Sequence, residues 1–361
     1  MPTTISTKRL FSDFGVRVQA DLIDDDKAAH ALATRIAMDG TDAALKKIRF
    51  ARFGGLDVVD PTEVDSFLDL HRLIQEYQKQ PQRVPLPIAV FSPPGEPKVF
   101  CVQQVVDAIV PLGLETCIFN LSSFVGVDAL NNAFHHVREI GSSGKTPLVL
   151  WEDFDLPLDG LLLGWLRYFN PAIESGSYAD GTATYQVGNA IFAFLSGSAG
   201  ELKQFQPKAD NYRGQAQFRD AGGPIFLSCL KGYLEILGVH RHQTEPDHDE
   251  NPTITVQDRY CVIRRAVWLR HCLGRRTPWL FHEAHDAYTL NIDLGVLNAF
   301  LNVRWYNHGF RSMESIIGMS ALTGKLRFAP DSLPSSSQLD LHVNGREFLA
   351  LVHGAKQSIQ P

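Results

Sequence analysis

The residues best suited to chemistry fall in a few short stretches. The first is Ser92-Pro93-Pro94-Gly95-Glu96-Pro97-Lys98-Val99, directly after the apolar run Pro87-Ile88-Ala89-Val90-Phe91. A phosphate cradle needs a strand, a glycine-rich turn and a helix. The turn aims backbone N–H groups at the phosphates, a lysine reaches the terminal ones, and a Ser or Thr hydroxyl holds Mg²⁺. Against the pattern Gly-x-x-x-x-Gly-Lys-[Ser/Thr], the segment has the context, the length, Gly95 and Lys98. Ser92 and Pro97 replace the outer glycines, and Val99 replaces the metal-binding hydroxyl. Pro94, Gly95, Glu96, Lys98 and Val99 are therefore the candidate phosphate-contacting positions.

Each departure has a physical meaning. Pro97 has no N–H to donate and fixes its own φ, so the turn loses a donor and its freedom to curl. Glu96 brings negative charge to the expected place of a polyanion. Val99 offers no oxygen to Mg²⁺. A second stretch, Leu148-Val149-Leu150-Trp151-Glu152-Asp153, reads as an acidic strand end, expected on the strand beside the first. The usual order there is Asp-Glu, the Asp holding Mg²⁺ through water and the Glu orienting the attacking water. With Glu152 and Asp153 exchanged, both groups shift by about a bond length, and a misplacement of about 1 Å can cost about a hundredfold in rate. Ser196 or Ser198, after the run Ala190–Leu195, stands where a polar side chain could sense a terminal phosphate, although serine after a strand is also ordinary turn chemistry.

The elements that must position these groups alternate. Strands are expected at Pro87–Phe91, Glu115–Leu121, Pro147–Trp151, Asn189–Leu195 and Tyr233–Leu237, and helices at Val99–Val110, Val127–Ile140 and Leu158–Phe169. Such alternation implies a largely parallel sheet covered by helices on both faces. Before it, Lys27–Met38 reads as a helix ending at Gly40, and Arg49–Val59 as extended chain. Asp60-Pro61 then caps a helix with an apolar stripe from Val64 to Tyr77. Glu174–Gly188 suits a loop or hairpin, and His240–Pro252 a polar linker. Asp258–Leu273, Leu294–Leu301 and Met313–Leu322 follow as helices, then a Ser-rich loop and a short element near Asn344-Gly345. The expected regions are 1–83, helical and extended; 84–253, the α/β core; 254–325, a helical lid; and 326–361, a tail.

With these pieces in order, the chain resembles the AAA+ P-loop ATPases over roughly residues 49–325. It is most similar to a bacterial group whose loop reads Ser-Pro-Pro-Gly-Ser-Gly-Lys-Ser-Phe and whose acidic motif ends Asp-Glu-Phe-Asp. On that comparison Ser92 is native to the group, while Glu96, Pro97, Val99 and Glu152-Asp153 depart from it. Phe226-Leu-Ser-Cys229-Leu-Lys231-Gly-Tyr233 matches a stretch in which an arginine stands at the place of Cys229, a candidate trans-acting finger. Arg264-Arg265-Ala266-Val267-Trp268-Leu269-Arg270 is kept, as is His308-Gly309-Phe310-Arg311-Ser312, whose Arg311 would touch the γ-phosphate. The resemblance implies ATP, weakly held, with Mg²⁺ accompanying it, and Asp153, Glu152 and Arg311 as the remnants of catalysis. It also suggests a bacterial source.

Two further patterns carry charged or metal-ligating residue types. His282-Glu283-Ala284-His285-Asp286 lacks the zinc-binding His-Glu-x-x-His order, and the linker histidines His240, His242 and His248 suit a solvated segment, so no metal site is expected. Arginines 264, 265, 270, 275 and 276 could form a basic stripe, but arginine near helix C-termini equally complements helix dipoles.

Bulk properties narrow the classes. The 361 residues carry 34 basic and 40 acidic side chains, a net charge of −6 that gives no basis for tight nucleic-acid binding. Apolar residues at 44% can build a sizeable core. The N-terminus lacks a secretory pattern, and no run of about 18 apolar residues suggests a membrane span. Cysteines 101, 117, 229, 261 and 272 form no Cys-x-x-Cys pair and suit free thiols in a reducing cytoplasm. The expectation is a cytoplasmic pseudo-ATPase acting on a protein partner as scaffold or regulatory subunit, with a homo-oligomer compatible. The alternative is an active ATP-binding AAA+ ATPase that remodels or regulates its partner.

Overall fold

The computed structural model describes residues 15–17, 23, 25–45, 48–80, 83–109, 114–241, 258–284 and 287–357. These form two compact units. One spans Asp65–Pro94 and Lys98–Ile236; the other holds the described residues up to Val64, Gly95–Pro97 and those from Leu237 onward.

The first unit is built on five parallel strands: β1 (Leu86–Phe91), β2 (Leu114–Asn120), β3 (Thr146–Glu152), β4 (Ile191–Leu195) and β5 (Gly232–Glu235), in the order β5-β1-β4-β3-β2. β1 and β4 are buried at every residue, which is why they read as unbroken apolar runs rather than alternating ones. On one face Phe91, Trp151, Phe192 and Phe194 meet Phe134 of helix Val127–Ser142, Phe169 of helix Leu166–Glu174, and Phe226. On the other, helix Lys98–Asp107 buries Cys101, Val102, Val105 and Val106 and packs on β4. The fold class is thus α/β with a parallel sheet sandwiched by helices.

The acidic strand β3 does not lie beside β1, as the sequence suggested: β4 is inserted between them and pairs with both. The helix expected over Leu158–Phe169 begins only at Leu166. Asp159, Gly160 and Leu163 all adopt positive φ, which no helix accommodates, and Leu158 and Leu161 pair across the resulting turn. Glu174–Gly188 contains the hairpin Ser177–Asp180 with Ala183–Gln186. Helices Leu202–Phe205, Tyr212–Asp220 and Gly223–Cys229 had no apolar stripe to announce them, and Tyr212–Asp220 buries no residue at all.

In the second unit, helix Asp26–Asp39 packs along helix Tyr260–Arg276, whose apolar side chains are buried all round. Phe50–Phe53 and Leu56–Val58 form a hairpin. Two arginines in the middle of the long helix are structural. Arg270 donates to Ala37 and Met38 carbonyls at 3.0 and 2.8 Å, closing the end of helix Asp26–Asp39. Arg265 donates to the Leu301 and Val303 carbonyls at 2.9 and 2.6 Å, closing helix Leu294–Asn302. The tail exceeds the expected short element: helix Gly345–Gln357 docks on Leu294–Asn302 through buried Phe348 and Val352. His282 and Glu283 are exposed on strand Phe281–Ala284, while His285, Asp286 and linker residues 242–257 lie outside the described residues. All five cysteines are free. Among the described residues no helix is long and apolar enough to cross a membrane, and no cluster of His, Cys, Asp or Glu could hold a metal ion.

Candidate functional site

The loop after β1 starts at a buried serine. Ser92 Oγ donates to the Pro93 carbonyl at 3.0 Å and accepts from Lys98 Nζ at 3.2 Å. Lys98 is the first residue of its helix and Val99 the second. The lysine therefore bends back onto the hydroxyl that opens the loop.

At the end of β3, Glu152 completes the strand and Asp153 turns out of it with a φ of 58°, a left-handed conformation that Asp tolerates better than most residues. Asp153 N–H donates to the Leu195 carbonyl at 2.9 Å, and its carboxylate lies over Gly197, where any Cβ would collide with it. Asp155, to which the sequence assigned no role, does more. It is buried and accepts from Ser196 Oγ at 2.6 Å, Gly197 N at 2.7 Å, Ser198 N at 3.0 Å and Ser198 Oγ. Burial alone would raise its pKa; the hydrogen bonds from Ser196, Ser198 and Gly197 outweigh burial and hold it below the usual carboxylate range. Ser196, the candidate phosphate sensor, is fully buried with its hydroxyl on Asp155 and accepting from Ala199 N at 2.8 Å. The signal for this cage was present as Asp155 in one strand end and Ser196-Gly197-Ser198 after the next.

The centre of the loop, Gly95–Pro97, packs within the second unit. Gly95 has a φ of 89°, and its carbonyl accepts from Arg311 N at 3.2 Å. A Cβ at this position would overlap the His308 carbonyl. Glu96 is buried, and its Oε1 accepts from Val239 N and Phe310 N at 3.3 Å each. Phe310 is in the first turn of helix Gly309–Met319. Gly95, Glu96 and Arg311 are thus brought together, with the Arg311 side chain exposed. Substituting Gly95 by alanine combines a strained φ with a steric overlap on backbone, and is expected to lower stability by about 2–4 kcal/mol; chemical denaturation of the variant checks this, and an unchanged midpoint would contradict it.

A buried charge network surrounds the segment that follows β5. Arg264 donates to Asp60 at 2.6 Å, to Asp258 at 2.7 Å, and to the Gly238 and His240 carbonyls at 2.9 Å each. Glu63 accepts from Leu237 N at 2.8 Å. Burial pushes the Glu63 carboxyl up to about 7 against the pull of Arg264. Sequence reasoning missed this network because Asp60 lies 204 residues before Arg264. Cys229, at the place of the candidate finger arginine, is a half-buried thiol ending helix Gly223–Cys229; burial raises its pKa.

A parallel sheet of this order, with a strand–turn–helix at its interior strand β1, defines an α/β fold whose sheet is covered by helices on both faces. No known protein-family profile matches the chain, and no curated protein does. Among solved structures it is similar to the ORC2 protein of Aeropyrum pernix in ADPNP-ADP complexes, at 11% identity and a TM-score of 0.44, over 82% of this chain and 68% of that one. It is also similar to NtrX from Brucella abortus in complex with ATP, at 10% identity and a TM-score of 0.42, over 74% of this chain and 55% of that one. The ADP complex of NtrX gives 10% and 0.43, over 80% and 59%. The chain therefore spans little more than half of the NtrX chains, and likeness at this level concerns the path of the chain alone.

Proposed function

We propose that this chain is a pseudo-ATPase, an AAA+ fold serving a protein partner as scaffold or regulatory subunit with weak or no ATP hydrolysis. The observation that carries the reading is the state of the loop centre. Its Gly95 carbonyl and Glu96 carboxylate are engaged by the amides of Arg311, Val239 and Phe310, so an acid inside the turn is already held by the chain's own donors.

The residues present do not fit a Mg²⁺-bound triphosphate. Pro97 supplies no N–H, Val99 supplies no oxygen, and Lys98 Nζ is turned onto Ser92. Ser196 is committed to Asp155, which argues against its acting as a phosphate sensor. Cys229 lacks the charge of an arginine finger, a group worth about 10³–10⁵ in rate where it acts. Arg264 and Arg265 are buried and Arg270 is committed to backbone carbonyls, which removes three members of the basic stripe, in keeping with a protein rather than a nucleic-acid partner. A cytoplasmic, bacterial setting belongs to the same reading, in keeping with five free cysteines.

A phosphate-release assay on the purified chain with Mg²⁺-ATP is expected to show no turnover above the buffer control. Sustained turnover that disappears in Lys98→Ala would replace this reading with that of an active ATPase.

A further inference from the structure

We infer that Glu96 is a built-in anion that holds the loop against nucleotide: its carboxylate, bonded to Val239 N and Phe310 N, fixes the turn in an arrangement other than a phosphate cradle. This rests on the pseudo-ATPase reading and adds to it a cause that can be removed.

The contact is made by three chain segments, each shaped for it. Helix Gly309–Met319 has no side-chain cap of its own; His308, at the N-cap, makes no such bond. Glu96 supplies the missing acceptor at Phe310 N, at the positive end of the helix dipole. The second donor, Val239 N, comes from the segment after β5. Gly238, with a φ of 70°, lies under the carboxyl group, and any Cβ there would collide with Glu96 Cδ and Oε1. Gly95 meets the His308 carbonyl as closely, so glycine is required on both sides of the acid. A buried carboxylate is costly unless donors and dipoles offset it. The sequence alone presents Glu96 as repulsion toward a polyanion; in the structure it is tied to Val239 N and Phe310 N.

The geometry has a reciprocal consequence. If the acid keeps the loop in its present arrangement, the binding-competent fraction is small, and apparent nucleotide affinity falls in proportion to it. Removing the acid should raise that fraction.

The test uses the full chain with fluorescent ATP and ADP analogues, with and without Mg²⁺, on wild type, Glu96→Ser and Glu96→Gln. Amide hydrogen exchange is followed at Val239 and Phe310. Glu96→Ser should bind nucleotide at least about tenfold more tightly than wild type, lose that gain when Lys98→Ala is added, and exchange both amides faster. Glu96→Gln, which keeps the shape and an acceptor, should show a smaller gain and serves as the variant of record if Glu96→Ser does not fold. An inert wild type whose folded Glu96 variants show no gain in nucleotide binding, or unchanged exchange at both amides, overturns this inference alone. Robust turnover by wild type overturns the pseudo-ATPase reading and this inference with it.

Discussion

Replacing Arg264 by methionine will lower the thermal midpoint by about 10 °C, corresponding to about 3–5 kcal/mol for breaking a buried ion pair in a chain of this size. The magnitude follows from what the guanidinium leaves behind. Asp60 and Asp258 lose their cation, the Gly238 and His240 carbonyls lose a donor, and the carboxyl group of Glu63 loses the charge that counters its burial. Methionine fills much of the volume and supplies none of these. Because an unpaired buried carboxylate is the main cost, adding Asp60→Asn should recover part of the loss, and lysine at 264 should recover less than the arginine's full contribution, having one donor group where five are used as a fork. Thermal denaturation of the three variants measures this. A shift within two degrees or so for Arg264→Met would mean that the network is solvated in solution, contrary to the burial of its members.

Asp155→Asn is expected to destabilise by about 2–4 kcal/mol, because the replaced oxygen faces donors that an amide NH₂ cannot accept. The wild type carries a pH signature of the same contact. The folded-state pKa of Asp155 is depressed, so its contribution is fully present above the unfolded carboxylate value, near 3.8, and is lost as pH falls from there through the folded value. Denaturant midpoints measured from pH 7 downward should therefore separate wild type from Asp155→Asn above pH 4 and bring the two together at lower pH. A gap that stays constant across that range would show that the charge of Asp155 is not what the cage holds.

Much of this fold was legible because its strands are apolar runs bounded by turn residues. β1 and β4 fall where Pro87–Phe91 and Asn189–Leu195 placed them, since burial on both faces leaves no polar alternation to blur the pattern. Strand order was not legible: nothing local tells β3 that β4 will insert between it and β1. Helix starts failed where positive φ at Asp159 and Leu163 broke the chain, because neither residue advertises that conformation as glycine does. The loop was legible as chemistry but not as geometry. Pro97 and Val99 announce the missing donor and the missing oxygen, yet the destination of Glu96 depends on Val239 and Phe310, which lie more than a hundred residues away. Asp155 and Arg264 stayed hidden for the same reason: their partners converge only in the folded chain.

The central claim is that the loop after β1 no longer serves a nucleotide. Calorimetric titration of the full-length chain with ATP, run with and without Mg²⁺, tests it most directly. No saturable heat is expected at millimolar ATP and no difference on adding Mg²⁺, because neither the turn nor Val99 offers what the complex needs. Saturable binding at micromolar ATP that strengthens with Mg²⁺ and disappears in Lys98→Ala would contradict it.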